Sequence, residues 1–143
     1  MSLKTPTQKM SKSDPSVASR ILLTDTPDQI ASKIRKATMD SIHGITYEPL
    51  TRHGVANLIH ILSCFTKSTP TEIAEKYASL SNQAFKNLVA EAIIEKLEPI
   101  RLEIMRLEKE KEYVEAVLRK GQIRAAKIAE ETMTQVNSVV GMT

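Results

Sequence analysis

The chain has 143 residues, of which 41% are hydrophobic and 26% are charged, and its formal net charge is +3. This composition excludes an intrinsically disordered chain, and the single cysteine, Cys64, excludes an internal disulfide framework. The longest apolar run, residues 55–65, is too short to cross a bilayer, so we expect no membrane partner. The basic balance permits an anionic partner without requiring one. Met1, Ser2 and Leu3 resemble an expression-vector start.

The first half of the chain predicts a loop followed by three helices. Residues 1–20 are rich in Ser, Thr, Lys and Pro and lack hydrophobic periodicity, which is typical of a loop. A helix is expected to begin at the Thr-Pro of residues 26–27, because Pro is favoured at the first helical position. Residues 44–54 look irregular, and residues 55–65 carry apolar side chains at helical spacing. Thr-Pro-Thr-Glu at 69–72 predicts a capping box and a short third helix.

The second half predicts one long helix and two shorter ones. Residues 81–82 open the longest predicted element, whose apolar stripe keeps its phase across Pro99. We therefore expect a kinked, continuous helix rather than two domains. A short helix at 113–118 is expected to stop at Gly121, and a final helix ends at Gly141. With no strand alternation, the predicted fold is all-α: an antiparallel helical bundle with one long kinked helix, preceded by a flexible loop.

The most informative pattern in the chain is Lys9, Met10, Ser11, Lys12 and Ser13. Two lysines three residues apart, with hydroxyls between them, suit a mobile loop that binds the phosphates of ATP. When a carboxylate attacks the α-phosphate, negative charge grows on the leaving pyrophosphate. Ammonium groups placed there stabilise the transition state more than the ground state. We predict Lys9 and Lys12 as catalytic residues and all five as ATP-phosphate contacts; the alternative is an ordinary polar tail.

This pentapeptide is the second signature of class I aminoacyl-tRNA synthetases, and its surroundings resemble the bacterial-type tryptophanyl-tRNA synthetases of bacteria and mitochondria. Asp-Pro at 14–15, the segment 21–41 and Arg-His-Gly-Val-Ala-Asn-Leu at 52–58 carry the likeness. The similarity extends from Lys9 to the end of the chain and is loose between 66 and 110. The chain departs from the family pattern at three of these positions, where the family has Thr, Pro and Ser: Met39, His53 and Ala56.

The resemblance implies that the chain is the C-terminal fragment of such a synthetase. Residues 1–24 would hold the vector-derived start and the lysine loop, at the tail end of an absent Rossmann catalytic domain, and residues 25–143 a helical anticodon-binding domain. The whole enzyme would ligate tryptophan to tRNA(Trp), use ATP with Mg²⁺ and form a homodimer. The family's other ATP motif, His-Ile-Gly-His, is absent. The fragment alone is therefore expected to be catalytically inactive, with no cofactor; its partners would be tRNA(Trp) and the missing domain, and not DNA.

The resemblance and a group of basic side chains together predict RNA contact on the final helix. Such side chains can contact phosphates, and a glutamine can reach a base edge. An ordinary solvated helix face is the alternative. Two other interpretations stay open: a tyrosyl-tRNA synthetase fragment, with a related fold and a similar loop, and a helical protein-interaction module without a nucleic-acid role. The predicted tRNA-binding residues are Arg119, Lys120, Gln122, Arg124 and Lys127.

Three further observations carry less weight. His60 and Cys64 share a helix face and His53 lies nearby, but the helix is strongly apolar and a fourth ligand is not evident, so we expect core packing and no metal. Asp40 either orients a loop between domains or serves as a helix-end turn. Residues 94–100 are similar to the mitochondrial synthetases, which places the whole protein in the mitochondrial matrix, with the bacterial cytoplasm as the alternative.

Overall fold

A computed structural model describes residues 1–142, which form two compact units, residues 1–102 and the residues from 103 onwards. The all-helical fold class is confirmed, because the described residues contain helices and turns and no strand. A short 3-10 turn lies at Val17–Ser19. The α-helices are α1 (Pro27–Arg35), α2 (His53–Thr66), α3 (Pro70–Tyr77), α4 (Asn82–Lys109) and α5 (Lys111–Val140).

The N-terminal ends of α1 and α3 are both set by capping boxes. Thr26 Oγ1 accepts a hydrogen bond from the Gln29 amide at 3.3 Å, and the Gln29 side chain accepts one from the Thr26 amide at 2.9 Å. Thr69 and Glu72 exchange the same pair of bonds, at 3.3 and 2.8 Å. Each pair satisfies two amides that the first helical turn leaves without partners. The helix starts predicted at 26–27 and 69–72 are confirmed.

The hydrophobic core of the first unit is centred on α2. This helix has buried side chains on nearly every side of its first three turns. The core side of α4 is confined to its N-terminal half, where the last buried residue is Ile93. The fully buried large side chains are Leu3, Ile34, Ile45, Val55, Leu58, Ile59, Leu62, Ile73, Phe85, Val89 and Ile93.

A glycine at the start of α2 lets this helix approach the chain that follows α1. A Cβ atom built on Gly54 would lie 2.2 Å from the carbonyl oxygen of Thr38 and 3.0 Å from Cα of Met39. Both neighbours are backbone atoms, so no side-chain rotation could relieve the overlap. Only glycine fits this contact, which explains Gly54 within the 52–58 segment.

The first residues of the chain pack as part of the core. Leu3 is fully buried, and its backbone N–H and C=O bond to Ser19 and Thr38, both at 2.8 Å. Asn57 on α2 donates to the carbonyl oxygens of Met1 at 3.3 Å and Ser2 at 3.1 Å. Residues 1–3 therefore pack with the core of the first unit. Residues 1–24 thus lie in the same compact unit as α1. The boundary between the two units does not coincide with residues 24 and 25, and the domain division expected there stays a prediction.

The C-terminal half differs from the prediction in two respects. The prediction of a short helix that stops at Gly121 is wrong, because α5 continues from Lys111 to Val140. A glycine inside a helix costs only about 1 kcal/mol relative to alanine and does not by itself end the helix. Secondly, α4 continues through Pro99 as expected but is not the longest element, since it has 28 residues and α5 has 30. The predicted end at Gly141 is confirmed by its left-handed φ of 74°.

Helix α5 contributes no buried residue. Two of its larger side chains, Tyr113 and Met133, are 54% and 51% exposed. The guanidinium of Arg106 lies 5.7 Å from the centre of the Tyr113 ring, a cation–π arrangement. Among the described residues, no helix is sufficiently long and apolar to cross a membrane.

Candidate functional site

The lysine loop is closed at its base by backbone hydrogen bonds. The amide of Leu3 donates to the carbonyl oxygen of Ser19 at 2.8 Å, which joins the two ends of the segment that contains the loop. Inside this closure, the amide of Ser2 donates to the carbonyl oxygen of Gln8 at 2.7 Å. Leu3 and Ser19 are both fully buried. The two ends of the loop segment are therefore anchored in the core of the first unit through Leu3 and Ser19.

The loop itself presents its two lysines to solvent. Lys9 and Lys12 are exposed, whereas Met10 is half-buried and packs against the core. The hydroxyl oxygens of Ser11 and Ser13 lie 2.8 Å apart, and the amide of Ser13 donates to the Ser11 hydroxyl at 3.3 Å. Among residues 1–142, neither lysine is in an ion pair. Both ammonium groups are therefore available to an anion.

An arginine holds the C-terminal side of the loop. The guanidinium of Arg20 donates to the carbonyl oxygens of Asp14 at 2.9 Å and Ser16 at 3.4 Å. The carboxylate of Asp14 accepts from the amide of Ser16 at 2.7 Å, which makes a tight turn. Sequence reasoning did not identify Arg20. Its position seven residues after the pentapeptide gives no periodic signal, and only the folded turn brings it back to the loop.

Asp25 and Lys33 form a buried ion pair between the loop segment and α1. Their side chains are 2.5 Å apart and only 7% and 9% exposed, respectively. The same Asp25 oxygen accepts from the amide of Leu22 at 2.9 Å. A buried carboxylate requires partners of this kind. The pair fixes the direction in which the chain passes from the loop into α1.

Arg52 clamps the irregular segment between α1 and α2. Its guanidinium donates to both carboxylate oxygens of Asp40, at 2.7 and 2.9 Å, to the carbonyl oxygens of Ile42 at 3.0 Å and Gly44 at 2.9 Å, and to the hydroxyl of Thr46 at 2.7 Å. These five bonds use all five N–H donors of an arginine. The hydrogen bond from Arg52 holds the pKa of Asp40 below its ordinary value. Asp40 raises the pKa of Arg52 in turn.

Asp40 therefore fixes the structure of the segment between α1 and α2, within the first unit; the choice between a loop between domains and a helix-end turn stays open. Its backbone oxygen also accepts from the side chain of Asn82 at 2.7 Å. Arg52 entered the sequence reasoning only as part of a motif. Its bonding could not be foreseen, because all five acceptor atoms, on four residues, lie in a segment without regular structure.

The five predicted tRNA-binding residues are all exposed on α5. Because the helix continues through Gly121, a step of about 100° per residue places Lys120, Arg124 and Lys127 on one face. Arg119 lies off that face, because a spacing of seven residues places it on the side of Ala126. Gln122 lies on another side of the helix. It stands four residues before Ala126, which forms an apolar stripe with Met133 and Val140 at spacings of seven residues. The structure thus brings three of the five side chains together as a basic strip.

The histidine and cysteine candidates do not converge on a metal site. His53, His60 and Cys64 are all exposed, so the predicted core packing is wrong for them. His60 Nε2 is 3.0 Å from the hydroxyl of Tyr47, and the two rings pack edge to face. Over residues 1–142, no group of three or more His, Cys, Asp and Glu side chains could hold a metal ion.

Three comparisons place the chain among known proteins. Residues 1–98 match the family described as tRNA synthetases class I (W and Y). The chain is 39% identical over 142 residues to the mitochondrial tryptophan–tRNA ligase of Dictyostelium discoideum, which covers 99% of this chain and 38% of that protein. It is 37% identical over 143 residues to the tryptophan–tRNA ligase of Thermosynechococcus vestitus, covering 100% and 43%.

A solved structure of the same kind of protein also matches the chain. The crystal structure of tryptophanyl-tRNA synthetase from Mycoplasma pneumoniae matches with a TM-score of 0.78 and 28% identity, over 100% of this chain and 45% of that one. The chain thus spans about two fifths of the length of the curated relatives that it matches. The match confirms the resemblance that residues 9–13, 21–41 and 52–58 carry. The chain belongs to the class I tRNA synthetases of the tryptophan and tyrosine group.

Proposed function

We propose that this chain is the tRNA-binding, lysine-loop part of a longer enzyme that ligates tryptophan to tRNA(Trp) with ATP. The observation that carries the proposal is similarity over 99–100% of the chain to proteins named tryptophan–tRNA ligase. The part from residue 25 onwards is the helical anticodon-binding domain. The catalytic domain lies in the remaining part of the enzyme, and the chain alone does not make tryptophanyl-adenylate.

The lysine loop acts on the phosphates of ATP. Lys9 and Lys12 are exposed and lack ion-pair partners within residues 1–142, and the base of the loop is fixed by Leu3 and Ser19. Their ammonium groups meet the negative charge that develops on the leaving pyrophosphate. Met10, Ser11 and Ser13 complete the contact, with hydroxyl and backbone N–H donors. Mg²⁺ accompanies the ATP, and ATP enters as a substrate.

The tRNA contact lies on α5. The basic strip of Lys120, Arg124 and Lys127 is exposed along one side of the helix and suits the phosphates of an RNA strand, and Arg119 is exposed on the same helix. Gln122 is the proposed base contact; it is exposed on the same helix, on the side away from this strip.

Two rival functions predict different results. The family model covers both tryptophan and tyrosine enzymes, whereas the relatives compared above all carry tryptophan names, which supports tryptophan. A protein-interaction module without an RNA role would leave the exposed lysines of residues 9–13 without a purpose. The CCA anticodon of tRNA(Trp) separates these possibilities, because neither a tyrosine enzyme nor an interaction module would prefer it.

The test is a titration of the chain with a labelled transcript of tRNA bearing the CCA anticodon, and with the same transcript carrying a changed anticodon, across a salt series. We expect a preference for CCA that persists as the salt concentration rises, because base contacts depend less on salt than phosphate contacts do. Equal binding that fades with salt would reduce the proposal to phosphate affinity. No binding would reject an RNA role for this chain.

A second titration tests the basic strip. The variant Lys120→Gln/Arg124→Gln/Lys127→Gln should lower the slope of log affinity against log salt by about two to three, because each lost phosphate contact contributes about 0.7 to 0.9. Slopes that match those of the control would remove the strip from the RNA contact. The matched control changes the same charge at three other exposed lysines, Lys67, Lys109 and Lys111.

The loop is tested with inorganic triphosphate as the probe, followed by NMR of the backbone amides. We expect shifts at residues 9–13 in the parent chain. The variant Lys9→Gln/Lys12→Gln should bind roughly tenfold more weakly or worse, since a hydrogen bond to a charged group contributes about 1.5–3 kcal/mol. The control variant Lys109→Gln/Lys111→Gln should bind as the parent does. Shifts that are equal in all three proteins would reject the phosphate role of the loop.

Assembly and location complete the proposal. The whole enzyme forms a homodimer and acts in the mitochondrial matrix, with the bacterial cytoplasm as the alternative. Relatives with mitochondrial names and bacterial relatives both match, which supports either compartment. Fractionation of the source cells tests the location, and light scattering of the full-length enzyme tests the dimer.

A further inference from the structure

Four basic residues from three separate segments meet at the C-terminal end of α1. The ammonium of Lys4 donates to the carbonyl oxygen of Lys36 at 3.1 Å. The ammonium of Lys86, on α4, donates to the carbonyl oxygens of Arg35 at 3.0 Å and Ala37 at 2.7 Å. The side chains of Arg35 and Lys36 start from the same turn and are exposed. We call Lys4, Arg35, Lys36 and Lys86 the α1-end cluster.

The positive charge of this cluster is not neutralised by acidic side chains in the described chain. Within residues 1–142, none of its four members is in an ion pair, whereas Lys33 on the same helix is paired with Asp25. The C-terminal end of a helix supplies only about half a negative charge. The pKa of Lys86 is lowered by burial and by the neighbouring charge of Lys4, as expected in a positive potential. A surplus of positive charge therefore remains at the surface.

Capping of α1 explains only part of the arrangement. Lys86 and Lys4 bond to three carbonyl oxygens at the end of the helix, and this is what a capping lysine does. The side chains of Arg35 and Lys36 make no hydrogen bond or ion pair within the described residues, and two more positive charges at a satisfied helix end repel each other. Their presence points to an anion outside the chain.

The exposure of these side chains indicates which kind of anion they bind. Three of the four side chains, those of Lys4, Arg35 and Lys36, are exposed, and they come from two separated segments. A small phosphate ligand is normally held in a concave pocket that buries most of its surface. A group of exposed cations suits successive phosphates of a polynucleotide, where neutralisation of each phosphate releases counterions and drives binding.

We propose that the α1-end cluster binds the sugar–phosphate backbone of RNA. The inference rests on the proposed tRNA function and adds to it a second contact surface, in the first compact unit rather than on α5. Contacts to the backbone position an RNA without reading its sequence. The cluster should therefore contribute equally to transcripts with the CCA anticodon and with a changed one.

The experiment uses the variant Arg35→Gln/Lys36→Gln, which leaves both capping lysines in place. Its affinity for labelled tRNA transcripts is measured by fluorescence anisotropy across a salt series. We expect affinity to fall on the order of tenfold at 0.1 M salt, equally for both anticodons, and the salt slope to fall by about 1.4 to 1.8. The matched control, Lys109→Gln/Lys111→Gln, removes the same charge and should change the affinity much less. Circular dichroism melts establish that both variants fold, and Lys36→Gln alone replaces the double variant if it does not.

Each other outcome has a distinct meaning. Equal losses in the α1-end variant and the control would show that binding follows net charge alone, and would overturn the inference. An unchanged affinity in the α1-end variant would overturn it as well, while the proposed tRNA function stands. No binding of tRNA by the parent chain at low salt would overturn both. Cluster-dependent binding to phosphatidylserine vesicles in place of tRNA would replace RNA by a membrane surface.

Discussion

Replacement of Arg52 tests whether the clamp between α1 and α2 holds the first unit together. The Arg52 side chain is 2% exposed, and its partner Asp40 is 27% exposed. In Arg52→Met, the carbonyl oxygens of Ile42 and Gly44 lose the Arg52 donors, and the carboxylate of Asp40 keeps only the bond from the Ile42 amide. Removal of one partner of a buried ion pair costs about 3–5 kcal/mol, mainly because the remaining charge is left without compensation. The total stability of a domain is only about 5–15 kcal/mol.

A second variant separates charge from geometry. In Arg52→Lys the positive charge stays, but an ammonium has three donors and no fork, so it cannot reproduce five bonds to four partners. We expect a loss between that of Arg52→Met and zero. If Arg52→Lys retained the full stability, the charge alone would explain the clamp and the argument from bonding geometry would be wrong.

The assay is hydrogen exchange of the backbone amides of α2, followed by mass spectrometry or NMR. It reports on the first unit alone, whereas the helical signal of circular dichroism also contains α5. Protection in α2 should fall by a factor that corresponds to about 3–5 kcal/mol in Arg52→Met. The control Arg119→Lys, at an exposed position, should leave α2 unchanged. Equal protection in Arg52→Met and the parent would refute the reasoning.

Three further predictions follow from single contacts. Because Arg52 lowers the pKa of Asp40 from its ordinary 3.8, the pair stabilises the fold above that pH, and this contribution is lost as the pH falls through the lowered pKa. Urea titrations at several pH values should therefore show that Asp40→Asn is less stable than the parent at neutral pH, with a difference that shrinks in acid; a constant difference would contradict this. Gly54→Ala should lower the free energy of unfolding by about 1–3 kcal/mol, measured by urea titration, because its Cβ would meet the Thr38 oxygen at 2.2 Å. An unchanged midpoint of unfolding would mean that the backbone relaxes freely around the added Cβ. Thr69→Ala should cost about 1 kcal/mol through the lost cap of α3, seen as faster amide exchange at the start of that helix and not elsewhere.

The lysine loop shows how far local patterns reach. The pentapeptide at 9–13 identified the family, because its residue types reflect a chemical role rather than packing. The supports of the loop came only from the fold. The Leu3–Ser19 closure joins residues sixteen positions apart, and Arg20 returns to Asp14 through a turn that has no sequence period.

Secondary structure was predictable wherever a local rule acts alone. The capping boxes at Thr26 and Thr69 set helix starts through bonds that span three residues, so a short window of sequence contains all the necessary information. At Gly121 the same kind of local rule gave a wrong prediction. It is compatible with a helix end, but nothing after it terminates the helix, and α5 continues through it.

The sequence by itself determined the all-helical class, the helix starts at 26–27 and 69–72, the end at Gly141 and the family, because each depends on neighbouring residues or on a short chemical motif. The tertiary structure decided the rest. It paired Arg52 with Asp40, brought Lys86 to the end of α1, and placed Gln122 off the basic strip of α5. These features depend on contacts between distant residues or on the uninterrupted phase of a long helix. Neither is contained in the local pattern, since the free energy of such contacts exists only when the whole chain is folded.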